Sequence, residues 1–592
     1  MVNYIMKQPK ILRVDLSNLK IEEEEINEDL AHRYVGGKGL VAYYMYKEIK
    51  QGIDPFSPEN KIFIFNGPLA FIYPTFTKIA IGSKSPLTGT FADAYAGGSF
   101  AVELRRAGYI GIIIEGRSDQ MICLKIAKGE NKLINCENLR GKTTYDVGDY
   151  FTNYSVLTIG PAGENLVRYA AVFIDMRRKP VNRPGVAGRG GIGAVMGSKN
   201  LKAILVRGWM GIEDLAPKID SERRSQLISR YVEILKKEVI PAIGLGSNLP
   251  VFKVAAEAKI LPVKNFRLGI HDGWEELTED GWRKAYVGRH TCPTCPVACG
   301  VKLNERGYQT HKIEYETVAM TGSNLYIADR AMIIELDEIL NSLGLDTISA
   351  GSVAAFATEL VEKGLLNYPL KWGDVEGYKK LYHDIAYRRG VGNILAEGVA
   401  IASKHFNAED FAIHIKGLEI PAYDPRGVIG MALAYATADR GGDHLRAWTV
   451  AAELTMKMNL EELVKLVIHL QNRNAALWTL VACDNIVGGF ANPEEGTKLY
   501  VEMLNTLGYD YNYESFLRLG ERIYNLTRLI NVRDGIRRES DKLPKRFHEK
   551  REDTGWFIAE KDFEKMLDLY YSFRKWDSDG VPTPELVRSL GI

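Results

Sequence analysis

The chain has 592 residues, too many for one hydrophobic core, and we therefore expect two to four domains. Its 76 Lys and Arg residues nearly balance 75 Asp and Glu residues, and the net charge of +1 argues against nucleic acid or an anionic membrane as partner. The N-terminus has no apolar signal segment, and no stretch approaches the roughly 18 apolar residues of a membrane span. A small metabolite is the expected partner.

Residues 1–207 are predicted to be rich in β-strands. Short apolar runs bounded by turn residues are typical of strands, and they lie at Ile11–Leu16, Leu19–Glu22, Lys61–Phe65, Ile79–Ile81 and Ile110–Glu115. Glycine-rich loops separate them, at Gly36–Gly39, Ser83–Gly89, Ala96–Gly98 and Gly188–Gly193. Backbone N–H groups in such loops can close on phosphate oxygens. No internal repeat is apparent in the sequence.

The last of these loops, Gly188–Gly193, matches the G-x-G-x-x-G pattern of dinucleotide-binding proteins. The preceding residues, Lys179–Gly185, contain two prolines and cannot form the central strand that such a fold requires. Basic residues precede the loop at Arg177–Lys179 and Arg183, and Arg189 lies within it. The sequence leaves two interpretations open: a site for a phosphate-bearing ligand, or a solvated basic loop.

After about residue 208 the pattern becomes helical. Asp220 is predicted to start one helix, and a second runs from about Asp329 to Leu343 with its apolar residues on one face. Gly344 is expected to end that helix in a left-handed conformation. Asp346 precedes the next helical run and is predicted to cap it.

Three of the six cysteines form a C-x2-C-x3-C run: Cys292, Cys295 and Cys299. Thiolates this close need a soft metal partner, and three ligands are one short of a closed site. Cys123 and Cys136 lie in ordinary strand or loop sequence. Cys483 follows the helix predicted to begin at Asn459 and is the best candidate for a remote fourth ligand.

A four-iron cluster fits this cysteine spacing best, since three clustered cysteines plus one remote cysteine are typical of such clusters. A structural zinc site is the alternative, but a second C-x2-C pair is missing. Three buried free cysteines are a weaker interpretation. Because cysteines are few and mostly assigned to a cluster, we expect a reducing, cytoplasmic location. Scarce glutamine, six residues in all, suggests a thermophilic source.

Several motifs, in order along nearly the whole chain, together resemble the tungsten-containing aldehyde ferredoxin oxidoreductase family. They are Ile11–Leu16, Tyr34–Gly39, Gly188–Ala203, the cysteine run, Asn341–Ser349, Pro421–Gly427, Cys483, Glu521–Leu526 and Leu543–Phe547. The resemblance implies an α+β protein in which a β-rich base, residues 1–207, forms a saddle for two pyranopterins. Two mainly helical domains would follow, residues 208–415 with the clustered cysteines and residues 416–592 with the fourth.

The resemblance also implies the cofactors. They are tungsten, or molybdenum, held by two pyranopterins, Mg²⁺ bridging the pterin phosphates, and a [4Fe–4S] cluster on Cys292, Cys295, Cys299 and Cys483. Matching motif positions imply pterin contacts at Lys78, Ala96, Gly97, Gly98, Arg189, Gly190, Gly191, Asn341, Leu345, Asp346, Arg446, Ala482 and Asp484.

The family's reaction converts an aldehyde and water to a carboxylic acid, and two electrons pass through the cluster to ferredoxin. Its pocket residues match Glu316, His444 and Tyr423 here. Glu316 would act as general base on water, which requires burial to raise its pKa. His444 would hydrogen-bond the carbonyl oxygen or a tungsten oxo group, and Tyr423 would orient the substrate. Only spacing from the cysteine run favours Glu316 over Glu314.

The sequence departs from the family pattern near the fourth cysteine. Trp478 and Val481 replace an aspartate and a glycine, Asn341 replaces an aspartate in the first copy of that motif, and Tyr95 replaces a frequent asparagine. These changes indicate either a divergent subgroup with altered pterin hydrogen bonding or a catalytically silent cluster-binding paralogue. Separately from them, the nearest alternative among enzymes is the tungsten subunit of a larger complex that reduces an acid or aromatic thioester. The expected partners are an aldehyde and ferredoxin, with a homodimer or a small electron-transfer subunit as further possibilities.

Overall fold

The computed structural model describes residues 8–311 and 313–592. Most of the N-terminal segment predicted to lack a signal sequence, residues 1–7, therefore lies outside the described part. The strands are β1 Lys10–Asp15, β2 Lys20–Glu25, β3 Ile62–Phe65, β4 Ile79–Lys84, β5 Phe91–Ala96, β6 Tyr109–Glu115, β7 Ile122–Ala127, β8 Glu130–Asn135, β9 Ser155–Thr158, β10 Val172–Ile174, β11 Gly185–Ala187, β12 Leu201–Val206, β13 Tyr286–His290, β14 Gly300–Glu305, β15 Tyr308–Thr310, β16 His414–Ile415 and β17 Leu418–Glu419. The five strands predicted from apolar runs are confirmed.

The first twelve strands form two sheets with the same topology. One has the order β2-β1-β6-β3-β4-β5 and the other β8-β7-β12-β9-β10-β11. In each sheet the pairing of the second and third strands in this order is parallel, and the other pairings are antiparallel. The described part of the chain thus contains a structural repeat of strand order, which is not visible as sequence similarity.

The two sheets pack face to face over a shared apolar core. Alternate residues such as Leu12 and Ile64 of the first sheet, and Leu124 and Ile204 of the second, point into it and are fully buried. On the opposite face of the first sheet, Ile11, Phe63 and other alternate residues join the larger core formed with the helices. The first sheet is thus buried on both faces, and it forms the floor on which the helical part rests.

The rest of the chain is mainly helical. The α-helices of the described residues are α1 Glu28–Tyr34, α2 Gly37–Glu48, α3 Phe100–Arg106, α4 Thr144–Tyr150, α5 Pro161–Glu164, α6 Ile192–Ser198, α7 Ile212–Leu215, α8 Ser221–Ile234, α9 Ile240–Ile243, α10 Pro250–Glu257, α11 Glu279–Arg283, α12 Tyr315–Thr321, α13 Arg330–Leu343, α14 Thr347–Glu362, α15 Val375–Ala386, α16 Gly392–Leu395, α17 Val399–Phe406, α18 Ile429–Thr437, α19 Val450–Thr455, α20 Leu460–Leu477, α21 Asp484–Val487, α22 Pro493–Asn505, α23 Tyr513–Arg533, α24 Glu560–Arg574 and α25 Pro584–Leu590. The predicted α+β class, sheets first and helices after, is confirmed.

The predicted helix ends are also present. Asp220, Asp329 and Asn459 cap α8, α13 and α20, and each side chain accepts a backbone N–H bond. Gly344 ends α13 with φ of 88°, and Asp346 caps α14 as predicted. Every helix in the described residues is too short or too polar to cross a membrane.

Cys123 and Cys136 form a disulfide that links β7 to the residue after β8. Sequence reasoning missed this pair, since neither cysteine lies in a motif. The other four of the six cysteines are free, and the cytoplasmic location stays a prediction.

Candidate functional site

A cavity of about 190 Å³ lies between the two sheets and the helices that cover them. Most of the residues predicted to contact a cofactor or to act in catalysis line it: Lys78, Gly97, Arg189, Glu316, Asn341, Leu345, Asp346, His444 and Asp484. These residues come from both sheet repeats, from the segment α12 to α14, from the loop between α18 and α19 and from the segment after α20. Folding therefore converges on one site from distant parts of the chain.

Close backbone packing at the two repeats forms the floor of the cavity. The loop at Gly97 and Gly98 follows β5, and the corresponding loop at Arg189 to Gly191 follows β11. A Cβ atom on Gly185 would lie 2.0 Å from the Gly97 carbonyl oxygen. No side chain fits there, which is why the ends of β5 and β11 can meet.

Some predicted contacts do not line the cavity. Gly98 and Gly191 hold left-handed turns below it, with φ of 111° and 72°. Gly190 accepts a hydrogen bond from Ser85 Oγ at 2.8 Å, while Ala96 and Ala482 are buried. The structure indicates that these residues support the loops of the cavity floor and do not face a ligand directly.

Arg446 also lies outside the cavity lining, in a buried ion network. Its guanidinium contacts Asp93, Asp439 and Asp443, at 2.7 Å from Nε to Asp439 Oδ1 and 2.9 Å from Nη1 to Asp443 Oδ2. Arg440, which sequence reasoning did not select, lines the cavity and pairs with Asp443 at 3.0 Å. Arg446 thus stabilises the wall of the cavity from behind, whereas the positive charge of Arg440 faces the cavity.

Three other cations face the cavity, each beside a carboxylate. Lys78 pairs with Asp484 at 2.5 Å, Arg183 with Glu314 at 2.6 Å, and Arg189 lies 3.5 Å from Asp346. Burial alone would lower the pKa of Lys78, but Asp484 and Cys483 raise it above its usual range. Lys78 therefore stays charged and can meet an anionic ligand.

The four cysteines predicted to bind iron lie together around a second, smaller cavity. Lys78, Gly97 and Arg183 line both cavities and form the wall between them. All four thiols are free, and burial raises the pKa of Cys295 to about 12 and that of Cys483 to about 11. Among the described residues no three His, Cys, Asp or Glu side chains could hold one metal ion, which disfavours a zinc site.

Glu316, His444 and Tyr423 are brought together at the far end of the main cavity. Glu316 Oε1 lies 3.5 Å from His444 Nε2, and Glu316 Oε2 accepts the backbone N–H of Ala422 at 2.9 Å. Tyr423 lies behind them, with its ring centre 5.7 Å from that of His444. Glu314 instead pairs with Arg183, which supports the choice of Glu316.

Burial controls the ionisation of this pair. It raises the pKa of Glu316 to about 8 and lowers the pKa of His444 to about 4. Near neutral pH the imidazole is therefore neutral, and the carboxyl group is mostly protonated, with about one-tenth of it ionised at pH 7. A carboxyl group poised in this way can exchange a proton with a bound reactant.

The departures from the family pattern pack against one another. The Trp478 ring stacks on Tyr95 with ring centres 4.9 Å apart, and its Nε1 donates to Asp484 Oδ1 at 2.9 Å. Val481, at the usual glycine position, has φ of 51°, in the same left-handed region as Gly344 in the first copy. The backbone of the motif is thus retained, and two aromatic rings replace its polar side chains.

Several buried polar atoms around the main cavity have no hydrogen-bond partner in the described part of the chain. They are Arg189 Nε, Glu316 Oε1, Asn341 Nδ2 and His444 Nδ1. Buried polar groups are nearly always satisfied, and these atoms are therefore expected to bind a ligand. The donors and the cations suit a large polar anion such as a phosphorylated pterin.

Sequence reasoning underestimated one residue. Arg183 appeared only as part of a basic loop, yet its side chain is buried between the two cavities. Burial opposes its charge, but Cys299 and Glu314 raise the pKa of Arg183 above its usual range. In the sequence Arg183 is marked only by its position between two prolines, and this pattern is not specific enough to predict a buried arginine.

Comparison with known proteins identifies the family. The model of the aldehyde ferredoxin oxidoreductase N-terminal domain matches residues 11–208, and that of domains 2 and 3 matches residues 238–592. The chain belongs to the aldehyde ferredoxin oxidoreductase family. It is 36% identical over 622 residues to the tungsten-containing aldehyde ferredoxin oxidoreductase of Pyrococcus horikoshii, covering 98% of each chain.

Two further members of this wider group are similar over their whole length. The WOR-like subunit of an aliphatic sulfonate oxidoreductase from Pyrococcus furiosus is 29% identical over 638 residues, covering 98% of this chain and 96% of that one. The solved active-site complex BamBC of benzoyl coenzyme A reductase has a TM-score of 0.84 at 25% identity, covering 99% and 97% of the chains. The aldehyde ferredoxin oxidoreductase fold thus also occurs in subunits of larger enzymes.

Proposed function

We propose that this chain is a tungsten-pterin oxidoreductase that oxidises an aldehyde to a carboxylic acid and passes two electrons through a [4Fe–4S] cluster to ferredoxin. The observation that carries the proposal is the pair of adjoining cavities, one lined by four free cysteines and the other by an acid–base pair. A shared wall of Lys78, Gly97 and Arg183 separates them, and the path for electrons is therefore short.

The cofactor would occupy the main cavity. Arg189, Arg440 and Lys78 would face its phosphates, together with Mg²⁺, while Asn341 and Asp346 would contact a pterin ring. When bound, tungsten would supply the two-electron redox step, with molybdenum as the alternative metal. Cys292, Cys295, Cys299 and Cys483 would ligate the cluster.

The acid–base pair would handle water and substrate. Ionised Glu316 would take a proton from the water that adds to the aldehyde carbon. His444, neutral near pH 7, would hold Glu316 through Nε2 or hydrogen-bond the carbonyl oxygen. Tyr423 would act indirectly, by packing against the His444 ring. The overall change is aldehyde plus water to carboxylate, two electrons and three protons.

A second candidate is the tungsten subunit of a larger complex that reduces an acid or an aromatic thioester. The likeness to the WOR-like subunit and to BamBC favours it. In that case electrons would enter through the cluster from a partner subunit. Anaerobic purification from the native organism distinguishes the two proposed functions. A ferredoxin-like or flavin subunit would co-purify in stoichiometric amount only if the chain is part of a complex.

The main test is metal and sulfide analysis of anaerobically purified native protein, followed by viologen reduction with a panel of aldehydes. We expect about one tungsten or molybdenum and four irons per chain, and reduction with at least one aldehyde. Four irons without tungsten or molybdenum, from cells grown with both metals, would instead indicate a catalytically silent cluster protein. Metal-loaded protein that oxidised no aldehyde would contradict the proposed substrate class.

A further inference from the structure

The short helix α21 places an amide against a cysteine of the opposite segment. Asn485 lies two residues after Cys483, and its Nδ2 donates to Cys299 Sγ at 3.6 Å. The same side chain lines the main cavity. One amide thus lines the cavity where the reaction would occur and contacts a cysteine of the other cavity.

We infer that Asn485 sets the reduction potential of the iron–sulfur cluster through its hydrogen bond to Cys299. The inference rests on the proposed function, because it requires the cluster to be present. Reduction adds negative charge that is shared by the cysteine sulfurs. A donor aimed at such a sulfur therefore stabilises the reduced cluster more than the oxidised one and raises its potential.

The charges around the cysteines make Cys299 the effective point for this control. Arg183 lies beside Cys299, but its guanidinium is paired with Glu314 at 2.6 Å. Asn485, which is neutral, is the residue that donates to the Cys299 sulfur. Both residues line the main cavity. Stabilisation of the reduced cluster is therefore concentrated on the side that faces the reacting group.

Redox titration of the cluster in Asn485→Leu and Asn485→Asp, followed by its electron paramagnetic resonance signal, tests the inference without substrate turnover. Leu keeps the volume and removes the donor, whereas Asp also adds a negative charge. We expect the reduced-to-oxidised ratio at fixed potential to fall about three- to tenfold in Asn485→Leu, a tenfold change being about 59 mV for one electron. A larger fall is expected in Asn485→Asp.

Asn492→Ala is the matched control. Asn492 caps α22 seven residues further along and contacts no cysteine, and its loss would loosen the same segment without removing a donor to sulfur. The control should keep the wild-type potential. Unchanged potentials in both Asn485 variants, or an equal fall in Asn492→Ala, would overturn the inference. If Asn485→Leu fails to retain iron, the potential of Asn485→Asp decides whether the inference holds. Native protein without any cluster would instead overturn the proposed function.

Discussion

Burial of a single carboxyl group gives the candidate reaction site its pH dependence. The pKa of Glu316 is raised to about 8, and the group that would accept a proton is fully ionised only above that pH. We expect kcat/KM for aldehyde oxidation to rise with pH up to about 8 and then level off. Glu316→Gln should lower kcat at least 100-fold and remove the rise, since proton transfer of this kind contributes about that much. A steady-state pH profile checks both.

The same burial costs stability at high pH. A group whose folded pKa is raised contributes stability that is present below its unfolded pKa and lost as pH rises through the folded pKa, here between about 4.5 and 8. Glu316→Gln should therefore unfold like wild type at pH 5 and be more stable at pH 9, by on the order of 2–4 kcal/mol. Calorimetry of the metal-free chain at the two pH values measures this. Equal differences at both would show that Glu316 is not the titrating group.

Trp478 stands where the family usually has an aspartate, and its ring makes up for the missing polar side chain by contacts with Tyr95 and Asp484. Trp478→Phe should keep the stack on Tyr95 but lose the bond to Asp484, lowering stability by about 1 kcal/mol. Trp478→Ala should lose about 3–5 kcal/mol and much of the bound tungsten. Denaturation and elemental analysis separate the two variants. Full tungsten content in Trp478→Ala would mean that the ring has no part in positioning the cofactor.

Elements of the base act in pairs, since each sheet delivers one glycine loop to the cavity. The loops after β5 and β11 meet where Gly185 approaches Gly97. The two motifs that cover these loops, at the end of α13 and after the end of α20, are paired in the same way. Gly344 approaches Gly160 of the second repeat, while the Leu480 carbonyl oxygen would lie 2.2 Å from a Cβ on Gly67 of the first. A repeated base can thus hold a cofactor built from two similar halves.

The disulfide belongs to the second repeat only and joins β7 to the end of β8. Because it closes a loop of 13 residues, replacing Cys123 and Cys136 with Ala should lower stability by about 2–4 kcal/mol. Iron-free, denatured wild type should show four reactive thiols without reductant and six with it, two cysteines of six being paired. Alkylation and mass spectrometry give the count. Six thiols without reductant would contradict the pairing.

At the scale of the whole molecule, buried ions tie the covering part to the base. Lys38 of α2 is fully buried and binds Asp93 at 2.9 Å and Asp439 at 2.6 Å. Lys38→Met would leave both aspartates short of a cation, and we expect a loss of about 3–5 kcal/mol. The exposed pair Lys20–Glu22 provides the control, since Lys20→Met should cost at most about 1 kcal/mol. Thermal denaturation of the two variants tests whether the network holds the parts together.

Local patterns in the sequence were sufficient for the family and for some of the elements, among them five of the described strands. Apolar runs predicted the strands, and capping residues such as Asp220 and Gly344 predicted the helix ends, because these signals act within a few residues. The spacing of Cys292, Cys295 and Cys299 likewise singled out the candidate cluster loop, since close thiols need a metal whatever the fold.

Only the tertiary structure decided what depends on distance through space. The strand order of the repeat, the disulfide, the position of Arg183 between two cavities and the stack of Trp478 on Tyr95 all join residues far apart in the chain. The raised pKa of Glu316 was expected from the role it would have to fill, but its size comes from burial by several elements at once. Long-range packing and desolvation are properties of the folded chain, and no local pattern encodes them.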